Sequence, residues 1–272
     1  MTSFFSREKI LSFFKKTYIF IILAIIYLPL IFVVAISFNG QTDKGNIDLN
    51  FGCPNVVNYL ELFKNNEFVN ALLNSLILSV IVAPTCVFFG IITCFGIWHS
   101  SKKKTSFIIT SSKFSLINPE VITGISLSLL FSSTIIPLGF DFGFITVLLA
   151  HISFCTPYAI ITIYPRMVKM NSNLIFASYD LGYSKIKTFF KIIIPFLLPA
   201  ILSAFAIVLA MSLDDFVITN LVNGSFQTIG TAIYTTRKGI KAWVVTFGAI
   251  VVLVTFVVMF VVIIVRKYKD KK

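Results

Sequence analysis

The sequence predicts an all-α polytopic membrane protein with six transmembrane helices. Hydrophobic residues make up 57% of the 272 residues and charged residues only 12%, whereas soluble domains carry fewer apolar and many more charged residues. Six nearly uncharged runs each approach or exceed the ~20 residues that a helix needs to cross a bilayer. Of the 23 Lys and Arg residues, 18 lie in tails and loops on the side of the chain termini. Because cytoplasmic segments carry the excess of basic residues, we expect both termini to be cytoplasmic.

The first two predicted spans cover residues 18–38 and 71–98. A cleaved signal peptide is the alternative for the first. That apolar run is longer than usual for a signal peptide, however, and Ala35-Ile36-Ser37 is a poor cleavage signal. Pro84 lies inside the second span, where neighbouring helices can satisfy the carbonyl that a proline frees, so we expect a kink there.

A basic loop, His99–Ser115, precedes the third predicted span at residues 119–136. Asn118-Pro119-Glu120 at its start has the order of a helix N-cap, a first-turn proline and a first-turn acid. The fourth span, 143–164, is interrupted by Thr156-Pro157. We therefore expect a second helix bend there, either fixed or part of a gating motion.

The fifth and sixth predicted spans cover residues 192–213 and 243–265. Asp214-Asp215 and a short apolar piece follow the fifth span. Acids at membrane depth are costly, and they usually face a cavity or pair with another group. The alternative is that both acids end the helix in water.

Residues 165–191 form a loop that is too polar to cross a bilayer and contains Lys185, Lys187 and Lys191. Leu174, Ala177 and Leu181 follow the spacing of one helix face. Gly182 divides the loop, and Ser184 is placed to N-cap a second short helix. The loop is therefore predicted to be a helix pair with a glycine hinge at the membrane surface, offered either to a groove in a partner or to lipid headgroups.

The helix-pair loop carries a recognisable motif. Phe176-Ala177-Ser178, Gly182 and Ile192-Ile193-Ile194-Pro195 resemble the EAA loop of ATP-binding-cassette importer permeases in order and spacing. Phe176 stands where that family has Glu, Ser178 where it has the second Ala, and Ile194 where it has Leu. The missing Glu removes any salt bridge made by that residue, but not the helix.

The resemblance implies a single transmembrane permease domain over residues 1–272, with residues 165–191 as its coupling loop. It implies contact with a cytoplasmic ATPase through seven positions: Phe176, Ala177, Ser178, Tyr179, Asp180, Gly182 and Pro195. Two further stretches, His151–Tyr158 and Met211–Val217, resemble permease subunits of spermidine/putrescine importers. This second resemblance implies a polyamine substrate.

The candidate substrate pathway is built around Asp214 and Asp215. A polyamine carries several ammonium groups, and removing them from water requires carboxylates or aromatic faces opposite. Phe216, Tyr234 and Trp243 are the candidate aromatic neighbours. Glu120 is a further candidate, although an acid at a helix start also interacts favourably with the helix dipole.

The resemblance implies a non-catalytic subunit of the bacterial plasma membrane, surrounded by lipid. Its expected partners are a second permease subunit, two cytoplasmic ATP-binding subunits and an extracytoplasmic polyamine-binding protein. We expect no bound metal, no cofactor and no nucleic acid, because ATP and magnesium would belong to the ATPase. An importer of another solute, a secondary transporter or channel, and an intramembrane enzyme are the alternatives. A secondary transporter often shows internal repeats, and the sequence shows none. An enzyme needs clustered reactive residues, and the only such cluster in the sequence is the Asp pair.

Overall fold

A computed structural model of the chain describes residues 7–42, 44–52, 54–236 and 239–269, with side chains from residue 17 to 268. Within these residues the structure is helical, apart from turns and isolated β-bridges. The helices are α1 (Arg7–Ile36), α2 (Val57–Glu61), α3 (Asn66–Trp98), α4 (Lys102–Ile117), α5 (Glu120–Thr134), α6 (Phe144–Val168), α7 (Asn173–Asp180), α8 (Lys185–Thr188), α9 (Ile194–Asp214), α10 (Val217–Val222), α11 (Ile229–Thr235) and α12 (Ala242–Lys269).

Six helical stretches among the described residues are long and apolar enough to cross a membrane, which confirms the predicted all-α class with six membrane helices. Their bounds are Thr17–Ile36, Asn66–Trp98, Glu120–Leu138, Phe144–Val168, Lys185–Asp214 and Ala242–Tyr268. Pro84 and Pro157 both lie inside continuous helices.

The prediction of a basic loop after the second span is wrong, because residues 102–117 form helix α4. This helix packs against α6 and buries Ser112. Its sequence, KKKTSFIITSSKFSLI, has too many polar residues to show an apolar periodicity, so tertiary contact rather than local pattern decides its state. Asn118 also does not cap α5: Pro119 occupies the N-cap position and no side chain bonds there.

The described contacts divide the chain into two compact units, Met1–Val69 with Thr236–Lys272, and Asn70–Thr235. In the first unit α1 packs along α12, with the rings of Tyr27 and Phe256 5.9 Å apart. The loop after α1 is held by Asn58, whose buried amide donates to the Asn39 carbonyl at 2.7 Å.

In the second unit α6 is the central helix and packs against α9, α4 and α10. The core contains buried residues from α3, α6, α9 and α10. Examples are Leu78, Val82, Val147, Ala150, Ile163, Leu197, Ala204 and Ile218. The polar side chains of the candidate site are therefore positioned by tightly packed helices.

Helix α3 approaches α6 closely at Gly90. A Cβ at Gly90 would lie 2.9 Å from the Cβ of Ala159, closer than real Cβ atoms approach. The thiols of Cys86 and Cys94 flank this contact and donate to the α6 carbonyls of Ile152 and Ile160. These two cysteines and Cys155 are buried free thiols; Cys53 lies outside the described residues.

Candidate functional site

The loop with the EAA-like motif folds into two short helices, α7 and α8, separated by a turn at residues 181–184. Gly182 adopts φ +78°, a left-handed conformation that glycine takes without strain. Its N–H donates to the Tyr179 carbonyl at 2.9 Å. The Ser184 hydroxyl accepts from the Lys187 N–H at 3.3 Å, which confirms the predicted N-cap of the second helix.

The helix pair exposes several large apolar side chains. Leu181 is 78% exposed and Phe176 is 62% exposed, and Leu174, Ile186 and Phe190 are exposed as well. The predicted face of Leu174, Ala177 and Leu181 therefore points outward rather than into the chain. Exposed apolar surface of this kind is typical of protein–protein or membrane contact sites.

The other coupling candidates divide between the surface and the interior of the helix pair. Tyr179, Asp180 and Pro195 are exposed, with Pro195 near the start of α9. Ser178 is 1% exposed, so its side chain lies inside the helix pair. Its hydroxyl lies 2.8 Å from that of Thr188, which is equally buried.

The helix pair borders a groove of about 570 Å³ lined by Phe95, His99, Tyr179, Ile186 and Phe190, among others. Residues Phe189–Ile193 form a π-helical turn between α8 and α9. The Phe189 ring packs 5.2 Å from that of Phe95 on α3. The helix pair is thus joined directly to the base of a membrane helix.

A second polar cluster lies where α9 ends. Helix α9 ends at Asp214, and Asp215 is extended, with φ −65° and ψ 125°. The two acids have different surroundings, since Asp214 is exposed while Asp215 is buried. The sequence did not predict this difference between the two acids.

The carboxylate of Asp215 is bound by the chain itself. It accepts from the backbone N–H groups of Ile218 at 3.3 Å and Thr219 at 2.9 Å, and from the Thr219 hydroxyl at 2.7 Å. These bonds satisfy free N–H groups in the first turn of α10, as a capping carboxylate does. Asp215 therefore holds α10 at the end of α9.

His151 completes the network around Asp215. Its ring is fully buried, with Nδ1 2.9 Å from the Ser212 hydroxyl and Nε2 2.8 Å from the Thr219 hydroxyl. Because the single proton of Thr219 is donated to Asp215, Thr219 must accept from Nε2–H. In the neutral ring Nδ1 then accepts from Ser212. His151 thus ties α6 to both α9 and α10.

A third acid lies near the Asp pair. Glu120 at the start of α5 is close enough to Asp214 and Asp215 for electrostatic repulsion, and the Tyr158 hydroxyl is close enough to Glu120. Glu120 and Asp214 are exposed and Tyr158 is partly buried. Asp214 and Glu120 are therefore accessible to water, unlike Asp215.

Phe216 directly follows the Asp pair in sequence, and Tyr234 packs against it. The rings of Phe216 and Tyr234 have centroids 4.9 Å apart, and both side chains are partly open to solvent. Helix α11, which carries Tyr234, is anchored to α3: the Asn74 amide donates to the Gln227 carbonyl at 2.9 Å, and the Ser75 hydroxyl accepts from the Ile229 N–H at 2.7 Å.

Trp243 lies in the other compact unit. Its side chain is 5% exposed, and its ring packs 5.8 Å from that of Phe68. Its place in the pathway stays a prediction.

Several structural residues of the site were not predicted from the sequence. They are Ser75, Thr188, Ser212 and Thr219, all buried residues with small hydroxyl side chains. Local sequence does not distinguish such residues from those that bond only to their own helix. The one available signal was the closeness of Ser212 and Thr219 to the Asp pair.

A family model described as "Binding-protein-dependent transport system inner membrane component" matches residues 59–272. The chain is 47% identical over 251 residues to the "Spermidine/putrescine transport system permease protein PotC homolog" of Mycoplasma genitalium, covering 89% of this chain and 87% of that protein. It is 27% identical over 240 residues to "Spermidine/putrescine transport system permease protein PotC" of Escherichia coli K12, covering 88% of both. These matches confirm the resemblance to spermidine/putrescine permeases.

The fold is similar to that of a chain from a bacterial ABC transporter involved in the import of the acidic polysaccharide alginate. The TM-score is 0.67 at 16% identity, covering 98% of this chain and 99% of the other. The six apolar helices and the family match together indicate a multi-pass protein of the bacterial plasma membrane. The chain belongs to the family of inner-membrane components of binding-protein-dependent transport systems.

Proposed function

We propose that this chain is a permease subunit of an ATP-driven importer of polyamines such as spermidine or putrescine. The observation that carries the substrate assignment is the 47% identity to a spermidine/putrescine permease homologue over 89% of the chain. The proposed subunit spans the membrane and has no catalytic activity of its own. The energy for transport comes from ATP that partner chains hydrolyse.

The coupling to ATP hydrolysis is assigned to α7 and α8. Their exposed apolar side chains suit a groove in a cytoplasmic ATPase, where a seated helix transmits force as a rigid link. The sequence itself contains no phosphate-binding loop of the G-x-x-x-x-G-K-[S/T] form. ATP and magnesium are therefore assigned to two ATP-binding partner subunits.

The contact with the polyamine is assigned to Asp214 and Glu120, together with Phe216 and Tyr234, whose rings pack against each other. Asp214 and Glu120 are exposed, so their carboxylates are available to ammonium groups. The Asp215 carboxylate accepts three bonds from its own chain and is assigned a structural role instead. An ammonium group next to an aromatic face gains a cation–π interaction as it leaves water.

The remaining assembly comprises a second permease subunit and an extracytoplasmic polyamine-binding protein. We assign both termini to the cytoplasm, because 18 of the 23 basic residues lie on that side in the six-span topology. Lipid contacts the outer faces of the helices, and no nucleic acid is involved.

The test is uptake of labelled spermidine by the complex that co-purifies with this chain, reconstituted in liposomes. We expect uptake that requires ATP and the binding protein and that unlabelled putrescine reduces. Spermidine uptake by the chain alone, without ATP, would instead support a secondary transporter. ATP-driven uptake of an unrelated solute, with no effect of polyamines, would contradict the substrate assignment only.

A further inference from the structure

We propose that the hydrogen bond between Ser178 and Thr188 is the positioning element that makes the helix pair and the base of α9 move as one body. The inference rests on the proposed coupling to an ATPase. The proposal concerns an internal bond, and not a partner contact or the exposed apolar face. This bond determines whether a displacement of α7 is transmitted to α9.

The geometry fixes the direction of this bond. The Ser178 hydroxyl lies 2.7 Å from the Ile175 carbonyl, to which it donates its one proton. It must therefore accept from the Thr188 hydroxyl, 2.8 Å away. Thr188 is the last residue of α8, directly before the π-helical turn that leads into α9. The bond thus runs from the middle of α7 to the junction of α8 and α9.

The chain between the two helices is a short turn at a glycine, held by backbone hydrogen bonds. Gly182 has no atom within 4 Å of the position that a Cβ would take, and its positive φ allows this turn at no steric cost. Near the turn the Tyr183 N–H donates to the Ser178 carbonyl at 3.0 Å. The Ser178–Thr188 bond closes the turn with a side-chain connection between the helices.

Burial makes this bond strong enough for the role. Both hydroxyls are 1% exposed, and Ile175 and Ile193 nearby are buried as well. A hydrogen bond shielded from water is electrostatically stronger than one in water, and its loss leaves a buried donor or acceptor unsatisfied.

No ion pair provides an alternative connection within the described residues of the helix pair, since none joins α7 to α8 or α9. Phe176, which stands where related permeases carry Glu, is exposed and apolar. The Ser178 hydroxyl provides a hydrogen bond to the end of α8 instead.

The test compares Thr188→Val, which keeps the shape but loses the hydroxyl, with Thr188→Ser, which keeps the hydroxyl. Both are measured in the reconstituted complex as spermidine taken up per ATP hydrolysed. We expect Thr188→Val to lower this ratio by about two- to tenfold, the range that one hydrogen bond of ordinary strength covers. Thr188→Ser should keep most of the ratio, because the donor remains.

Thr162→Val is the matched control, since the Thr162 hydroxyl bonds only to the Tyr158 carbonyl of its own helix. It should leave the ratio unchanged. Ser178→Ala serves as a second variant if Thr188→Val fails to fold, and it should lower the ratio to the same extent. The double variant should be no worse than either single one, because both remove the same bond.

Two results distinguish a failure of the inference from a failure of the proposed function. If the unmodified complex couples ATP to uptake, and Ser178→Ala or Thr188→Val couples equally well, the positioning role is wrong and the proposed function stands. If the unmodified complex shows no ATP-driven uptake, the proposed function is wrong and the inference fails with it.

Discussion

The Nε2 atom of His151 lies 2.8 Å from the hydroxyl of Thr219, and neither side chain is accessible to solvent. This bond joins α6 to α10 and continues to Asp215 through the Thr219 hydroxyl. It explains why two neighbouring acids have different roles. Asp215 stabilises the fold at the start of α10, whereas Asp214 is left with an exposed carboxylate.

Thr219→Val should destabilise the protein. The valine has the same shape but can neither donate to Asp215 nor accept from His151, so two buried groups lose a partner. A buried unsatisfied polar group costs about 1–3 kcal/mol. We expect a lower thermal unfolding midpoint in detergent for Thr219→Val and a smaller change for Thr219→Ser. Equal midpoints for the two variants would contradict the network.

Asp214→Asn and Asp215→Asn should separate function from stability. Asp214→Asn should lower spermidine uptake by about tenfold, since a bond to a charged group contributes about 1.5 kcal/mol or more, at an unchanged unfolding midpoint. Asp215→Asn should lower the midpoint. Asp141→Asn, in an exposed turn, is the control. Full uptake by Asp214→Asn at normal protein levels would remove this acid from the pathway.

Gly90→Ala and Gly96→Ala test the packing of α3 with the same substitution in the same helix. Alanine favours a helix over glycine by about 1 kcal/mol, and a Cβ at Gly96 meets no atom within 4 Å. At Gly90 the Cβ meets that of Ala159, which has no rotamer to change, and overpacking costs about 1–3 kcal/mol. The unfolding midpoint should fall for Gly90→Ala alone. A fall of the same size for Gly96→Ala would disprove the close contact.

The cytoplasmic assignment of the termini can be tested by protease access. An epitope tag after Lys272 should be resistant in intact cells and cleaved after the membrane is opened. A tag inserted at Gly52, in the loop predicted to lie outside, should be cleaved in intact cells. The reverse pattern would show that the positive-inside assignment is wrong.

The sequence predicted the membrane helices well because lipid imposes a strong and local requirement. Each span must be apolar over ~20 residues, and its backbone must bond within the helix. The glycine hinge and the Ser184 cap were also predicted, since both depend on neighbouring residues.

The errors and omissions arise where contacts distant in sequence decide the structure. Helix α4 was predicted to be a loop, because its many polar side chains leave no sequence pattern for the face that packs on α6. The separation of Asp214 from Asp215 depends on His151, more than 60 residues earlier, which bonds to Thr219. The bond between Ser178 and Thr188 depends on the turn that folds α7 back on α8. No local pattern contains these pairings.

The central claim is that α7 carries force from an ATPase, and crosslinking tests it most directly. A photoreactive phenylalanine analogue at Tyr179, which is exposed, should capture an ATP-hydrolysing protein of the same complex in native membranes. The same analogue at Phe88, an exposed position on α3, should capture lipid or membrane proteins only. If Tyr179 never captures an ATPase, while the complex is intact and transports spermidine, the account is contradicted.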